Sequence, residues 1–257
     1  MNAMRWGSVG AGSVGREMSP DVLIAVAGLF VALGGFVQSG IGLGLGLIGA
    51  PIVTLLDPAL MPGSMLVAGA GLPMLILARE ALHTDWPGVS WALAGRVAGT
   101  AGGIWVLAVA SLRALGIVVG GMVLAVVALS IREAVVPRNR ITLITAGMIS
   151  GVTGTATSIG GPPVALLYQD QSGPRVRATL SVFFTAGNSL ALTALAVTGH
   201  LPGRDVLAGL VFVGCAAAGF AVAAGLRRFL DAGRTRAAVL AAAAGSGLIL
   251  IVHSILG

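Results

Sequence analysis

The sequence predicts an all-α polytopic membrane protein with two inverted repeats of about five membrane elements each, and with short Gly/Pro-interrupted helices in each half. Three observations predict this fold class: the composition, a series of ten apolar stretches, and a motif that occurs once in each half. Of the 257 residues, 56% are hydrophobic and 9% are charged, and the mean hydropathy is +1.00. Soluble domains carry roughly 25% charged residues, so this composition is typical of a chain that folds in lipid.

The ten apolar stretches are the predicted membrane elements. Most of them approach the roughly 20 residues that a helix needs to cross a bilayer. The second, sixth and seventh are shorter and are broken by Gly and Pro, which indicates half-helices, re-entrant hairpins or an interrupted helix surrounded by protein. In chain order the stretches cover approximately residues 21–38, 43–56, 64–80, 88–110, 114–131, 141–152, 155–168, 177–198, 205–225 and 236–256.

An internal repeat appears when the chain is shifted against itself so that Ser39 meets Ser150. Residues 39–56 then align with residues 150–167, with eight identities in eighteen positions, among them Pro51 with Pro162. Both segments follow the first long stretch of their half, which indicates a duplication. The chain then divides into an N-terminal tail at 1–20, a first membrane repeat at 21–131, a cytoplasmic linker at 132–140 and a second membrane repeat at 141–257.

The arginines indicate the orientation. All 15 basic residues are arginines, and arginines in short loops concentrate on the cytoplasmic side of a membrane. If all ten stretches cross, ten loop arginines fall on one side and four on the other. If each long-plus-short pair is one broken crossing, the arginines divide almost evenly. Five crossings per half is an odd number, so the two halves have opposite orientations, as in many secondary transporters.

We therefore expect a multi-pass protein of the inner (plasma) membrane, with both termini outside the cytoplasm. The lipid bilayer is its expected partner. Nucleic acid is not expected, because the arginines form no stripe with interleaved aromatic residues. Faces of small residues permit a homodimer without requiring one.

Two glycine patterns have the spacing of a dinucleotide-binding loop. Neither Gly44-x-Gly46-x-x-Gly49 nor the "GAGSVG" at 10–15 follows a strand, and neither precedes a correctly spaced acidic residue. Cys215 is the only cysteine, and no Cys/His cluster has the spacing of a metal site. We expect no cofactor and no metal. Many of the 40 glycines are explained by close packing of membrane helices.

Packing alone does not explain why glycines precede a proline at matched positions in both halves. Proline fits the first turn of a helix, where unpaired N–H groups carry partial positive charge. A half-helix that begins there inside the membrane offers an anion site made of backbone, so a small anionic substrate is a further expected partner. The second half adds hydroxyl donors, for which the alternative is that they bond to carbonyls of their own helix. These hydroxyls belong to Ser150, Thr153, Thr155, Thr157 and Ser158.

The chain resembles the TauE/SafE sulfite exporter family over residues 20–256. The resemblance rests on "GIGLGLGLIGAPIVTLL", "SGVTGTATSIGGPPVALLY", the following "RATLSVFF" and the loop "HTDW". It implies an integral membrane permease that moves sulfite or organosulfonates outward, with the two Gly/Pro elements face to face around the path. The resemblance implies that one set of residues shapes the path: Gly49, Pro51, Gly160, Gly161, Pro162 and Pro163. It implies that a second set lines the path: Ser150, Thr153, Thr157 and Ser158.

Four other polar side chains have two interpretations each. Arg177 matches the arginine of "RATL" and either compensates anion charge or contacts lipid phosphate. Gln38 and Asn188 either line the path or bond one helix to another. Arg96 lies about 13 Å into its helix, where we expect it to reach back to the interface, the alternative being a role with substrate. The complete predicted substrate site consists of Gln38, Ser39, Gly40, Gly49, Pro51, Ser150, Gly151, Thr153, Thr157, Ser158, Gly160, Gly161, Pro162, Pro163, Arg177 and Asn188.

Three further possibilities remain open from the residues. The first is an intramembrane serine hydrolase that uses Ser39, Ser150 or Ser158 with His253, although we expect no enzyme. The second is a membrane scaffold subunit without transport activity. The third concerns a loop with His83 and its neighbouring carboxylates, Glu80 and Asp85, which either couples transport to protons or is simply solvated. The expected mechanism is alternating access around an anion held at the bilayer midplane.

Overall fold

The computed structural model describes residues 18–42, 44–131, 136–226 and 232–256. Within these ranges the chain forms ten α-helices and no strand. The expected tail, apart from Met18 to Pro20, lies outside the described residues, as do linker residues 132–135. The helices are α1 (Pro20–Ile41), α2 (Ala50–Leu56), α3 (Gly63–Glu80), α4 (Trp86–Val109), α5 (Leu112–Ile131), α6 (Arg140–Thr157), α7 (Pro162–Leu166), α8 (Gly173–Val197), α9 (Gly203–Leu226) and α10 (Ala232–Leu256).

Helix α1 begins and ends with recognisable capping residues. Pro20 occupies its first turn together with Asp21, whose negative charge is favourable at a helix N-terminus. At the other end Gly42 has φ 79°, and its N–H donates to the carbonyl of Gln38. A left-handed glycine of this kind terminates a helix and reverses the chain. The 22 residues of α1 are about 33 Å long, enough to cross a bilayer.

After Gly42 the chain folds back along α1 and forms the first hairpin. Residues Leu45–Gly49 make a π-helical turn that continues directly into α2. A Cβ atom on Gly44 would lie 2.5 Å from the carbonyl oxygen of Gly34. The returning backbone therefore contacts α1 at a point where both segments have glycine. The returning helix, from Leu45 to Leu56, is about 18 Å long and does not cross the roughly 30 Å apolar core by itself.

The second hairpin follows α6 in the other half. Asn139 caps α6 and exchanges hydrogen bonds with Thr142 in a capping box. The helix ends at Ser158, which has φ 61°, and Gly160 then packs against α6 at Ser150. The sequence placed a break between residues 152 and 155, but α6 runs unbroken to Thr157. The small residues there allow neighbouring helices to approach α6 closely, and they do not interrupt the helix.

Two extensive helix contacts join the halves, α4 with α6 and α1 with α9. Both depend on glycine. A Cβ on Gly147 would lie 1.9 Å from the carbonyl oxygen of Ala92, and a Cβ on Gly219 would lie 1.8 Å from that of Ala32. The two contacts are equivalent under the repeat, because each joins the first helix of one half to the fourth helix of the other. Small residues therefore set the close approach of these helices.

Equivalent helices of the two halves also pack antiparallel. Glu80 at the end of α3 pairs with Arg177 near the start of α8, while Leu66 near the start of α3 packs with Leu195 near the end of α8. In α5 and α10, Gly116 faces Ser254 and the glycine four residues later faces Gly247. In both pairs the two helices therefore run in opposite directions.

The lengths and apolar character of the helices suit a bilayer. Four helices of the described chain, α1, α4, α8 and α9, are long and apolar enough to cross a membrane. Large apolar side chains are exposed on their outer faces, for example Leu29 at 70%, Trp105 at 67% and Val197 at 82%. Exposed side chains of this kind are stable against lipid and not against water.

Candidate functional site

The two hairpins meet at a small cavity between the halves, with a volume of about 40 Å³. A space of this size holds one or a few water-sized groups. Both Gly/Pro elements contribute backbone to it, and α3 and α8 close it from the side. The lining residues are Gln38, Gly44, Leu45, Gly46, Leu47, Met65, Gly69, Ser158, Ile159, Gly160, Gly161, Pro162, Phe184 and Asn188.

The π-helical turn forms the first wall of the cavity. The side-chain oxygen of Gln38 accepts a hydrogen bond from the N–H of Leu45 at 3.1 Å and so caps this turn. The first N–H groups of a helix have no carbonyl partner within it, which leaves the N–H groups of Gly46 and Leu47 as the donors on this wall. The cavity therefore lies at the start of a helix, where backbone N–H groups carry partial positive charge.

The position of Pro51 differs from the expectation. The helix begins at Leu45, so Pro51 lies in its second turn and does not mark its start. A proline in a helix interior removes one hydrogen bond and pushes against the carbonyl four residues earlier. The wider π turn just before Pro51 moves those carbonyls apart and accommodates the ring. The amide hydrogens exposed here belong to the glycine-rich turn, one helical turn earlier than predicted.

The second wall comes from residues 158–162. Ser158 donates its hydroxyl hydrogen to the carbonyl of Pro62 at 3.0 Å and so ties this turn to the other half. Pro162 and Pro163 lack N–H groups, so the start of α7 offers fewer donors than an ordinary helix start. Ser150, about two turns before the end of α6, donates to the carbonyl oxygen of Gly160. The donors left on this wall are backbone amides of the two glycines.

Arg96 lies behind the cavity and is completely buried. Its Nη1 donates to Ser150 Oγ at 3.0 Å, and its Nη2 donates to Asn188 Oδ1 at 2.7 Å. The guanidinium also lies 4.9 Å from the centre of the Phe183 ring. The ion pairs of the described chain involve Arg175, Arg177 and Arg204, and none of them involves Arg96.

The expectation that Arg96 reaches back to the interface is therefore wrong. Gly95 and Gly99, one residue before it and three after it, press α4 against the α6 backbone. This close packing turns the arginine into the protein, where it meets α6 and α8. The sequence carried a signal for this position, because small residues flanking a charged residue in an apolar helix indicate a protein-facing side.

Several predicted site residues lie near the cavity without lining it. Ser39 is buried, and the backbone of Gly40 belongs to the last turn of α1. A Cβ on Gly49 would lie 2.7 Å from the methyl carbon of Met65, so this glycine packs tightly behind the wall. Gly151 belongs to the contact between α4 and α6, where a Cβ would meet the carbonyl of Arg96 at 2.6 Å.

The threonines of α6 mostly follow the alternative interpretation. Thr153 donates to the carbonyl of Ile149 at 2.9 Å, and Thr157 donates to that of Thr153 at 2.7 Å. Both bonds lie within α6. The hydroxyl oxygen of Thr155 is buried and has no hydrogen-bond partner. Pro163 lines a separate apolar groove beside α5 and α6.

The charged residues form two groups at opposite ends of the molecule. At one end Arg177 pairs with Glu80 at 2.7 Å, and Asp85 caps α4 and accepts from the Tyr168 hydroxyl at 3.0 Å. This bond joins the segment after α7 to the start of α4. At the other end Arg204 pairs with Asp57 at 2.6 Å.

These contacts give Arg177 and the two carboxylates near His83 structural partners. Arg177 does not line the cavity. Asp57 and Tyr168 are equivalent under the repeat, because each follows the short helix of its half. Each also contacts the start of the fourth helix of the opposite half, so the two ends of the molecule are closed in a similar way.

A family model described as "Sulfite exporter TauE/SafE" matches residues 26–250. No curated protein matches the chain, and no solved structure matches it. The matched residues include both hairpins, the cavity between them and Arg96. Because the match covers most of the chain, the protein belongs to the TauE/SafE sulfite exporter family, and is thus a membrane transporter of the sulfur-anion type and not an enzyme.

Proposed function

We propose that the protein exports a small sulfur-containing oxyanion, sulfite or an organosulfonate, across the inner membrane by alternating access. The observation that carries this proposal is a cavity that residues of both Gly/Pro elements line. A substrate bound there contacts both halves at once. Relative motion of the halves then exposes it first to one side and then to the other.

The chemistry of the walls supports an anionic substrate. Gly46 and Leu47 belong to one wall, the two glycines before Pro162 belong to the other, and Asn188 lies at the side. Backbone N–H groups in a space with little water interact strongly with negative charge. None of the cavity-lining residues is acidic.

The membrane potential supports outward movement. With the cytoplasm negative, each unit of negative charge that leaves gains about 2.3 kcal/mol per 100 mV. The carboxylates Glu80, Asp85 and Asp57 have partners at the ends of the molecule, and no carboxylate lines the cavity. We propose export driven by the potential, without an obligatory coupled proton.

The experiment is counterflow of radiolabelled sulfite in proteoliposomes that contain the purified chain. Gly46→Val tests the cavity, because a Cβ on Gly46 already lies 3.0 Å from the carbonyl oxygen of Ser158 on the opposite wall. We expect flux to fall at least about tenfold, since an over-filled site excludes even a small ligand. Gly214→Val is the matched control, because nothing lies within 4 Å of a Cβ there.

Three outcomes decide the proposal. Flux in the unmodified protein and in Gly214→Val, but not in Gly46→Val, supports it. Equal flux in all three places the path elsewhere. A complete lack of flux for sulfite, sulfate, sulfoacetate and thiosulfate in the unmodified protein favours the scaffold alternative.

A further inference from the structure

Arg96 is a cation at the centre of the molecule with no carboxylate partner among the described residues. A charged side chain without a counter-ion inside the membrane costs free energy, and such side chains usually have a functional role. If its task were only to join three helices, a neutral amide would form similar hydrogen bonds at lower cost. The neighbours of the guanidinium indicate where its charge acts.

The first connection from Arg96 to the cavity passes through Asn188. An arginine only donates hydrogen bonds, so the atom of Asn188 that accepts the hydrogen bond from Nη2 must be its amide oxygen. The amide nitrogen therefore faces the other way. It points at Gly69 of α3, where an added Cβ would lie 2.6 Å from it. Gly69 and Asn188 both line the cavity, so Arg96 fixes a donor toward it.

The second connection passes through Ser150. Arg96 donates to the Ser150 hydroxyl, which in turn donates to the carbonyl oxygen of Gly160. In a trans peptide the carbonyl and the following N–H point in opposite directions. The N–H of Gly161 therefore points away from α6, toward the space that Gly160 and Gly161 line. Successive bonds of this kind polarise one another, so the last donor carries more positive charge.

Both connections have the same polarity. In each, the acceptor oxygen is turned back toward Arg96 and an N–H group is left at the cavity. Gly160 and Gly187 make room for this arrangement, since an added Cβ would lie 2.9 Å from Nη1 and 1.9 Å from Nε respectively. Phe183 covers another side of the guanidinium. Both hydrogen bonds of the guanidinium therefore lead to the cavity, one through Asn188 and one through Ser150 and the Gly160–Gly161 peptide.

We propose that Arg96 is the positioning residue that makes the cavity selective for anions, acting through Asn188 and the Gly161 amide and without touching the substrate. This proposal rests on the proposed transport function and assigns a source for its charge selectivity. It predicts that doubly charged anions depend on Arg96 more strongly than singly charged ones, because the interaction energy scales with the charge of the ligand.

The test measures binding of radiolabelled sulfite to the purified full-length chain, with sulfate as a dianionic competitor and methanesulfonate as a monoanionic one. Arg96→Gln removes the charge, and Arg96→Lys keeps the charge without the two-pronged geometry. We expect Arg96→Gln to weaken dianion binding by at least about tenfold and monoanion binding by less. Arg96→Lys should recover part of the dianion binding.

Asn188→Asp is the decisive variant, because it does not depend on how well the Arg96 variants fold. The aspartate still accepts from Arg96 and gives it a carboxylate partner, so the unfolding temperature should hold or rise. Its second oxygen replaces the donor that faces the cavity and repels anions. We expect sulfite binding to fall by at least about tenfold in a protein that remains folded. Gly214→Ala is the control that should bind as the unmodified protein does.

The outcomes separate the two proposals. If the unmodified protein binds none of the three anions, the proposed function fails. If it binds them and Asn188→Asp binds them equally well, the role of Arg96 is overturned while the transport function stands. Equal losses of dianion and monoanion binding in Arg96→Gln also overturn the role, because such losses indicate a packing effect.

Discussion

At the scale of single residues, Gly187 controls the position of Arg96. It lies one residue before Asn188 on α8 and directly against the guanidinium. Only a glycine leaves room there for an arginine side chain that is fully buried and bonded to two other helices. The same helix therefore supplies both the space for the charge and the amide through which the charge reaches the cavity.

We predict that Gly187→Ala displaces Arg96, since the new methyl group would lie 1.9 Å from Nε. Overpacking of this kind costs about 1–3 kcal/mol. Thermal unfolding in detergent should show the loss of stability, and binding of sulfite should weaken with it. Gly214→Ala, in an open position of α9, is the matched control and should change neither. Unchanged stability and binding in Gly187→Ala would contradict the packing described here.

At the scale of elements, the two hairpins are similar in plan and different in detail. The first contains a π-helical turn before a single proline, while the second contains a left-handed Ser158 before two prolines. Both place glycines at the cavity. In each hairpin the chain reverses at a residue with positive φ, and the returning segment packs against the preceding helix where that helix has small residues.

We predict that Pro51→Ala separates stability from transport. Alanine restores the missing N–H and favours a regular helix by about 3 kcal/mol on the intrinsic scale. The π turn should relax to α-helix, which shifts the amides of Gly46 and Leu47 away from the cavity. The unfolding temperature should hold or rise while sulfite counterflow falls. Undiminished flux would show that the π turn has no part in the site.

At the scale of the whole molecule, the two charged ends define the sides of the membrane. The loop with His83 follows the α3 end that is joined to Arg177, and the loop with His200 follows the opposite end of α8. The excess of arginines predicts that the His83 loop faces the cytoplasm. Both histidines are exposed and suitable for labelling.

We predict opposite accessibility for single cysteines at these two positions. The background is Cys215→Ala, which leaves the chain without another thiol. In intact cells a membrane-impermeant thiol reagent should label His200→Cys, and it should label His83→Cys only after the membrane is permeabilised. Labelling of both cysteines from one side would contradict an odd number of crossings between the two loops, and a reversed pattern would invert the predicted orientation.

The sequence by itself determined the class of protein, the helical membrane fold and the two paired Gly/Pro elements that meet at the cavity. These properties are local: hydropathy and small residues record the average surroundings of a segment, so they can be seen before the chain folds. The alignment of Pro51 with Pro162 located both Gly/Pro elements, but it left open whether each crosses the membrane or turns back. It could not show that one helix begins a turn before its proline, because that start depends on Gln38 capping Leu45.

Only the tertiary structure decided which charge serves the cavity. Arg177, which belongs to the predicted substrate site, is paired with Glu80, whereas Arg96 is held at the centre by partners 54 and 92 positions away in the chain. Whether a polar side chain in an apolar helix reaches the interface or turns inward depends on which other helices offer acceptors. That depends on packing between distant segments, which hydropathy and spacing along one chain do not encode.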